Sequence, residues 1–236
     1  KGAKSNAKRS DRSTSEGLVA AVESATATTL IELACETDFV AKSDKFIALG
    51  NAVLQALADS GAETVDAALA AKAGNGTVES LISDEAAILG EKIELRRLAR
   101  IPGNKFAVYL HRTSKDLPPQ VGVVVAFEGD DAETIRSVAQ HISFADPQYL
   151  TRDEVPAETV ENERRIVEEI SRGEGKPEAA LPKIVEGRVG AFFKQVALLD
   201  QDYAKDNKQS VAKVAGDAEA LEIAPVAKRR QVVPLE

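Results

Sequence analysis

The sequence predicts an α+β protein in which a β-β-α-β unit with an antiparallel three-stranded sheet is duplicated and an antiparallel helical hairpin is inserted. Two hairpin-like pairs of apolar segments lie about ninety residues apart, and each is followed by an acidic residue and a helical pattern. A third observation is a stretch nearer the C-terminus with two amphipathic helical patterns joined by a short break. The duplication rests on this order of elements, because residue identity between the two halves is weak.

The first unit opens with two strand-like segments, 17–24 and 28–36, on either side of a turn of small residues. Ser43 stands where a helix N-cap belongs, and apolar residues follow it at helical spacing as far as Gly61. These patterns predict a β-hairpin that leads into one amphipathic helix.

The same unit continues with an alanine-rich segment, 63–73, which is predicted to be helical and to stop at Gly74. Thr77 is placed to cap a further helix that ends near Gly90. Alternating apolar residues from Ile93 onward then predict the third strand of the first sheet.

The second unit repeats this order. Segments 105–112 and 121–128 have the composition of a second hairpin, and Asp131 opens an amphipathic helix. Further on, Ser210 could cap a short helix, and 221–233 could supply the closing strand of the second sheet. A proline and a basic run inside that last segment favour an edge strand or a frayed tail.

The inserted segment 156–193 contains two helical patterns separated by Gly173, Gly175 and Pro177. Two helices joined by so short a break are predicted to fold back on each other as an antiparallel hairpin. The hairpin could protrude from the second unit, or both helices could lie on its sheet, because the apolar stripes do not show what they face.

These patterns divide the chain into a basic connector at 1–16, a first subdomain at 17–103, a second subdomain made of 104–155 and 195–236, and the helical hairpin at 156–194. The basic N-terminal stretch is interpreted as a solvated connector rather than an arm for nucleic acid. Since the chain contains no methionine, we expect it to be a fragment or a processed product.

The charge balance argues against nucleic acid as a partner. Lys and Arg number 30 against 38 Asp and Glu, so the formal net charge of -8 repels a phosphate backbone. The longest apolar run, 121–127, is far shorter than the roughly 20 residues of a membrane helix, so no membrane association is expected. The single cysteine, Cys35, excludes an internal disulfide and fits a reducing compartment such as the cytoplasm.

Residue patterns for catalysis and metal binding are sparse. His111 and His141 have no Cys or His neighbour at metal-ligand spacing, so no metal site is predicted. The chain has no glycine-rich phosphate loop of the Walker or dinucleotide type. We therefore expect no enzyme activity, no catalytic residue and no cofactor.

The most informative segment is 35–44, with the sequence CETDFVAKSD, between the end of a predicted strand and the cap of a helix. Thr37 or Asp38 could cap the helix entry while Phe39 packs into the core against its first turn. Alternatively, Phe39 could be exposed beside an acid as an anchor for a pocket on a partner. Both interpretations remain open from the residues alone.

Several ordered motifs resemble the elongation factor Ts family, most closely its high-GC Gram-positive members, and together they extend over the chain as far as about residue 211. The motifs are CETDFVAKSDKF (35–46), GEKIELRRLARI (90–101), YLH (109–111), LPPQVGVVVAFEGDD (117–131) and GKPEAALPKIVEGRVGAFFKQVALLDQDYAKDNKQSV (175–211). The family begins with a small helical domain that docks on elongation factor Tu, and this chain begins at the KGA that follows that domain.

The resemblance implies a guanine nucleotide exchange factor that acts in translation elongation and binds elongation factor Tu in its GDP-bound or nucleotide-free form. In the family, an Asp-Phe pair enters the G domain of elongation factor Tu beside the magnesium and phosphate site, and a second surface grips its third domain. Matched by motif, the partner-binding residues are Thr37, Asp38, Phe39 and Val40 for the first contact, and Val121, Gly122 and His141 for the second. For His141, a packed or merely exposed helix position is the alternative.

A hypothesis from another class is a non-catalytic structural module, in which the α+β scaffold carries a helical hairpin that mediates oligomerisation. Only some members of the family dimerise, so a homodimer is compatible with the resemblance.

Overall fold

A computed structural model describes residues 11–216 and the backbone of 222–227. These residues form two compact units, 11–132 with 222–227 and 133–216. Both three-stranded sheets lie in the first unit. Residues 1–10 of the predicted basic connector (1–16), and residues 221 and 228–233 of the predicted last strand (221–233), lie outside the described residues.

The first unit begins with eleven elements in chain order. They are β1 (Glu16–Glu23), β2 (Ala27–Cys35), α1 (Asp38–Ala41), α2 (Asp44–Ser60), α3 (Val65–Ala70), β3 (Lys72–Ala73), β4 (Gly76–Thr77), α4 (Val78–Leu89), β5 (Ile93–Pro102), β6 (Phe106–His111) and β7 (Val121–Ala126).

The remaining elements are again given in chain order. They belong to the second unit, except for the last strand, which belongs to the first unit. They are α5 (Ala132–Ala145), α6 (Ala157–Gly173), α7 (Leu181–Val196), β8 (Asp202–Tyr203), β9 (Asp206–Ser210), α8 (Val211–Ala215) and β10 (Glu222–Ala227).

The first sheet has the order β1-β2-β5 with antiparallel neighbours, as the sequence predicts. Every residue of its central strand β2 is buried. One face packs against α2 and α4 through a buried cluster that includes Ile31, Leu33, Phe46, Val53 and Leu57. Burying each such side chain contributes about 1.5–3 kcal/mol to the stability of the fold. The cluster therefore stabilises the first sheet, including β2 and its C-terminal end.

The second sheet has the order β10-β7-β6, again antiparallel. The predicted closing strand is thus confirmed over 222–227, and β10 is an edge strand, where a proline is tolerated. Val124 and Ala126 of β7 join Val19, Leu30 and Ile101 of the first sheet in one buried cluster. In both sheets the second strand of a hairpin is the central strand, and a strand from later in the chain pairs with it: β5 with β2, and β10 with β7. The duplication of the unit stays a prediction.

The helix boundaries follow the local signals. Ser43 and Thr77 cap α2 and α4 with their side chains, and Gly61 and Gly90 end the same helices with φ of 68° and 81°. The alanine-rich helix is shorter than the predicted 63–73, because backbone pairing draws its last residues into the two-residue hairpin β3-β4.

In the second unit, α6 and α7 form the predicted antiparallel hairpin. Arg164 pairs with Glu186, and Arg172, nearer the turn, pairs with Glu178. This nesting of the pairs around the turn shows that the two helices run antiparallel. Between the helices lies a buried cluster of Val167, Val185 and Val189, with Val160 and Phe193 beside it. The second helix starts at Leu181 after a 3-10 turn at Glu178–Ala180, slightly later than predicted. No helix in the described part of the chain is long and apolar enough to cross a membrane.

Candidate functional site

The segment after β2 forms a short helix between two capped starts. The side chain of Thr37 accepts a hydrogen bond from Val40 N at 3.3 Å and so caps α1, which is only four residues long. Ser43 caps α2, since its Oγ accepts from Phe46 N at 3.3 Å and donates to Val40 O at 2.8 Å. Of the two residues considered as caps, Thr37 and Asp38, it is Thr37 that caps α1, and both ends of this helix are fixed.

Phe39 is exposed at the surface of this short helix. Its relative exposure is 73%, whereas Ala41 and Phe46, close by in the chain, are at 0%. Val40 is half-buried and packs against the core of the first sheet, which turns Asp38 and Phe39 outward. Of the two interpretations of the sequence, the one in which Phe39 is exposed is therefore confirmed, and the one in which Phe39 packs into the core is wrong.

Lys42 lies beside both outward side chains. Its Nζ is 3.3 Å from Asp38 Oδ2 and 4.5 Å from the centroid of the Phe39 ring. The three residues place an apolar ring, an anion and a cation on one small surface. A surface of this kind can enter a partner's pocket with the ring and meet charged groups at the rim.

Glu91, between α4 and β5, holds the first residues of this segment. Its Oε2 accepts hydrogen bonds from Glu36 N at 3.0 Å and Thr37 N at 3.1 Å, and its Oε1 accepts from Thr37 Oγ1 at 2.5 Å. Sequence reasoning missed this residue, because a single Glu after a helix-ending glycine carries no local sign of a partner 54 residues earlier.

Glu36 makes the reverse contact toward the α4–β5 connection. Its Oε1 accepts from Lys92 N at 2.6 Å, and Arg12 pairs with it at 3.3 Å. The two connections therefore bind each other's backbone amides through one carboxylate each. We call this arrangement, formed by Glu36, Thr37, Glu91 and Lys92, the carboxylate clamp.

Of the second set of predicted residues, Val121 and Gly122 lie at the start of β7. Val121 is half-buried and Gly122 is buried. A Cβ on Gly122 would lie 2.5 Å from Val19 Cγ1 and 3.0 Å from Leu30 Cδ1. The glycine thus has a packing role of its own between the two sheets, and its predicted part in partner binding stays a prediction.

His141 lies on α5 in the second unit and is only 4% exposed. Its Nδ1 accepts from Ala204 N at 3.3 Å, so its proton is on Nε2, which donates to Gln201 Oε1 at 2.7 Å. The ring also meets Phe144 edge-on at 5.3 Å between centroids, and Phe144 is 66% exposed. The structure therefore places His141 in a packed position, and Phe144 is the neighbouring side chain that reaches solvent.

The described residues contain no group of three or more His, Cys, Asp or Glu side chains that could hold a metal ion. The segment 38–42 presents one ring, one carboxylate and one ammonium group on a fixed backbone, which suits contact with a partner.

A family model described as "Elongation factor TS" matches residues 36–232. Proteins named elongation factor Ts are similar over most of their length. The one from Leifsonia xyli subsp. xyli is 69% identical over 219 residues, which cover 92% of this chain and 79% of the relative. The one from Clavibacter sepedonicus is 72% identical over 214 residues, 91% of this chain and 78% of the relative. The one from Micrococcus luteus is 55% identical over 221 residues, 92% and 80% of the two chains.

Proposed function

The chain belongs to the elongation factor Ts family, and on that premise we propose that it binds elongation factor Tu and accelerates the release of GDP from it. Family membership confirms the resemblance predicted from the motifs and makes the protein a translation elongation factor. The proposed activity places it in the cytoplasm with its partner. It needs no cofactor and no catalytic residue, because no covalent bond is made or broken.

The observation that carries the proposal is the outward position of Phe39. Its ring is 73% exposed on a helix whose two ends are fixed by hydrogen bonds. Aromatic side chains that enter a pocket supply much of the binding energy of protein interfaces, and rigid presentation lowers the entropy lost on binding. Asp38 stands next to the ring and brings a negative charge to the same place.

The physical effect follows from how a GTPase holds its nucleotide. GDP is bound largely through its phosphates, by Mg²⁺ and by backbone amides, so a small displacement of that site weakens many charge-assisted contacts together. We propose that Asp38 and Phe39 cause this displacement, flanked by Thr37 and Val40. Because coupling between two ligands is reciprocal, an incoming nucleotide lowers the affinity of the exchange factor by the same factor and releases it.

The test is the substitution Phe39→Ala. The rate at which elongation factor Tu loses a fluorescent GDP analogue is measured by stopped flow over a range of exchange-factor concentrations. Truncating a central aromatic anchor costs about 2 kcal/mol or more, so we expect stimulation to fall roughly 30-fold or further. The circular dichroism spectrum should be unchanged, since the ring contributes little to the core.

Ile88→Ala is the matched control. Ile88 is 62% exposed on α4, so the substitution also removes an exposed apolar side chain, and release should remain normal. Near-normal stimulation by Phe39→Ala would contradict the role proposed for this ring.

We also propose that Val121 and Gly122 in the first unit, and His141 in the second unit, take part in binding elongation factor Tu. Because Gly122 and His141 are buried, we propose that each supports the surface near it rather than forming that surface. Near His141 the exposed side chain is that of Phe144, which the sequence did not single out.

A further inference from the structure

The carboxylate clamp sets the positions of Glu36 and Thr37, the two residues immediately before α1. Glu91 accepts three hydrogen bonds, at 2.5–3.1 Å, from the backbone of Glu36 and from the backbone and side chain of Thr37. Hydrogen bonds to an ionised acceptor are roughly twice as strong as neutral ones. Glu36 returns a bond to Lys92 N at 2.6 Å, so the two connections are fixed to each other in both directions.

A helix as short as α1 cannot hold its own orientation. Isolated helices shorter than ~12 residues are marginal in water, and α1 has four residues. The direction in which Phe39 points is therefore decided by the packing of Val40 against the core together with what fixes the two ends of the helix. At the C-terminal end this is Ser43, and at the N-terminal end it is Thr37, whose Oγ1 accepts from Val40 N and donates to Glu91.

We propose that Glu91 is a positioning residue for nucleotide exchange: through Thr37 it fixes the direction of Phe39, without itself touching the partner's nucleotide site. This rests on the proposed function, in which Phe39 displaces the phosphate-binding part of elongation factor Tu. A displaced ring could still bind on the surface of the partner, but it would strain the nucleotide site less. Glu91 should therefore affect the maximal rate of GDP release more than the affinity for the partner.

The experiment compares Glu91→Ala and Glu91→Gln with the unaltered chain in the stopped-flow assay of GDP release. Because a misplacement of about 1 Å can cost of the order of 100-fold in a positioned reaction, we expect Glu91→Ala to lower the maximal stimulated rate about tenfold. The concentration that gives half of that rate should change less than threefold, since the rest of the interface is intact. Glu91→Gln keeps one carbonyl oxygen for the two backbone amides, so it should retain more of the rate.

The maximal rate separates positioning from simple loss of folded protein. If Glu91→Ala only lowered the folded fraction, adding more of the variant would restore the full rate at saturation. Amide hydrogen exchange gives a second readout, because Glu36 N and Thr37 N lose their acceptor and should exchange faster in Glu91→Ala. Glu63→Ala is the control, since Glu63 is an exposed acid without a hydrogen bond or ion pair to the described residues.

Failure of the inference can be told apart from failure of the proposed function. If Phe39→Ala abolishes stimulation while Glu91→Ala reaches the normal maximal rate, Glu91 does not position the ring and the inference is wrong. Unchanged exchange of the amides of Glu36 and Thr37 in Glu91→Ala would also overturn it. If Phe39→Ala itself is fully active, the proposed function fails first.

Discussion

Phe39 and Phe46 lie seven positions apart and have opposite environments. Phe46 stands on the apolar face of α2 and is fully buried, while Phe39 stands on α1 with nearly three quarters of its surface in water. An exposed phenylalanine does not make the contribution of about 1.5–3 kcal/mol to the free energy of unfolding that a buried one makes. The stability of the fold therefore gives no reason for a phenylalanine at position 39, whereas a pocket on a partner would recover that free energy on binding.

Unfolding measurements should separate the two rings. Phe46→Ala removes a side chain from the centre of the first core and should cost about 3–5 kcal/mol of the free energy of unfolding. Phe39→Ala should change it by no more than about 0.5 kcal/mol, as is usual for exposed positions. Urea denaturation followed by circular dichroism measures both values. Similar losses in the two variants would mean that Phe39 is part of the core.

Among the elements, the two sheets lie close to each other at Gly122 of β7. Its hydrogen faces Val19 Cγ1 and Leu30 Cδ1, and any Cβ there would be 2.5 Å from the first of them. Contacts this short do not occur between real side chains, so the glycine is required by packing whatever its role toward a partner.

We expect Gly122→Ala to be destabilising by about 1–3 kcal/mol, as is typical of overpacked cores. Gly187→Ala is the matched control in α7, where no atom lies within 4 Å of the added Cβ. A helical Gly-to-Ala change should instead stabilise by roughly 0.5–1 kcal/mol. Thermal melting of both variants gives the comparison, and a Gly122→Ala variant as stable as the unaltered chain would show that the sheets can move apart at this point.

The elements that the sequence predicts well are those with local signals. Ser43 and Thr77 mark helix starts, and Gly61 and Gly90 mark helix ends, because capping depends on residues within one turn. The alanine-rich helix is predicted too long, since its last residues pair as strands with a segment just beyond the turn.

The candidate site was predictable where a motif marks it and unpredictable where distant residues build it. The sequence singled out Thr37 and Phe39 and left the direction of the ring open. The contacts of Glu91 with Thr37 and of His141 with Gln201 join residues 54 and 60 positions apart. Such pairs are brought together by tertiary packing. They leave no pattern among neighbouring residues, so they cannot be predicted from a single sequence.

At the scale of the whole molecule, acidic and basic side chains form networks of ion pairs on and beside β2 and β5. Glu32 is only 4% exposed and pairs with Arg96 at 3.2 Å and with Arg97 at 2.5 Å. Glu94 pairs with Arg96 at 3.1 Å and with Lys92 at 3.3 Å. Protonation of Glu94 would leave the half-buried side chains of Arg96 and Lys92 without this anionic partner, so we expect the fold to be sensitive to protonation at this position.

The pKa of Glu94 lies below its ordinary value of 4.5. Burial raises this pKa, but hydrogen bonds from Thr14, Arg96 and Lys92 together lower it by more. The pKa values of Asp130, Glu178 and Asp206 are lowered as well, chiefly by hydrogen bonds from Lys105, Arg172 and Gln209. In all four groups the folded state favours the ionised form.

A group whose pKa is lower in the folded than in the unfolded chain stabilises the fold above its unfolded pKa, and this contribution is lost as the pH falls through the folded pKa. We therefore expect these groups to have little effect on the melting temperature between pH 7 and 5, where they stay ionised. Below about pH 4.5 the melting temperature should fall steadily as they become protonated. Glu94→Gln should be less stable at pH 7 and should lose less on acidification, because it already lacks the charge. Melting curves of both proteins at pH 7, 5 and 3.5 measure this, and parallel pH profiles would show that Glu94 does not contribute to the acid sensitivity.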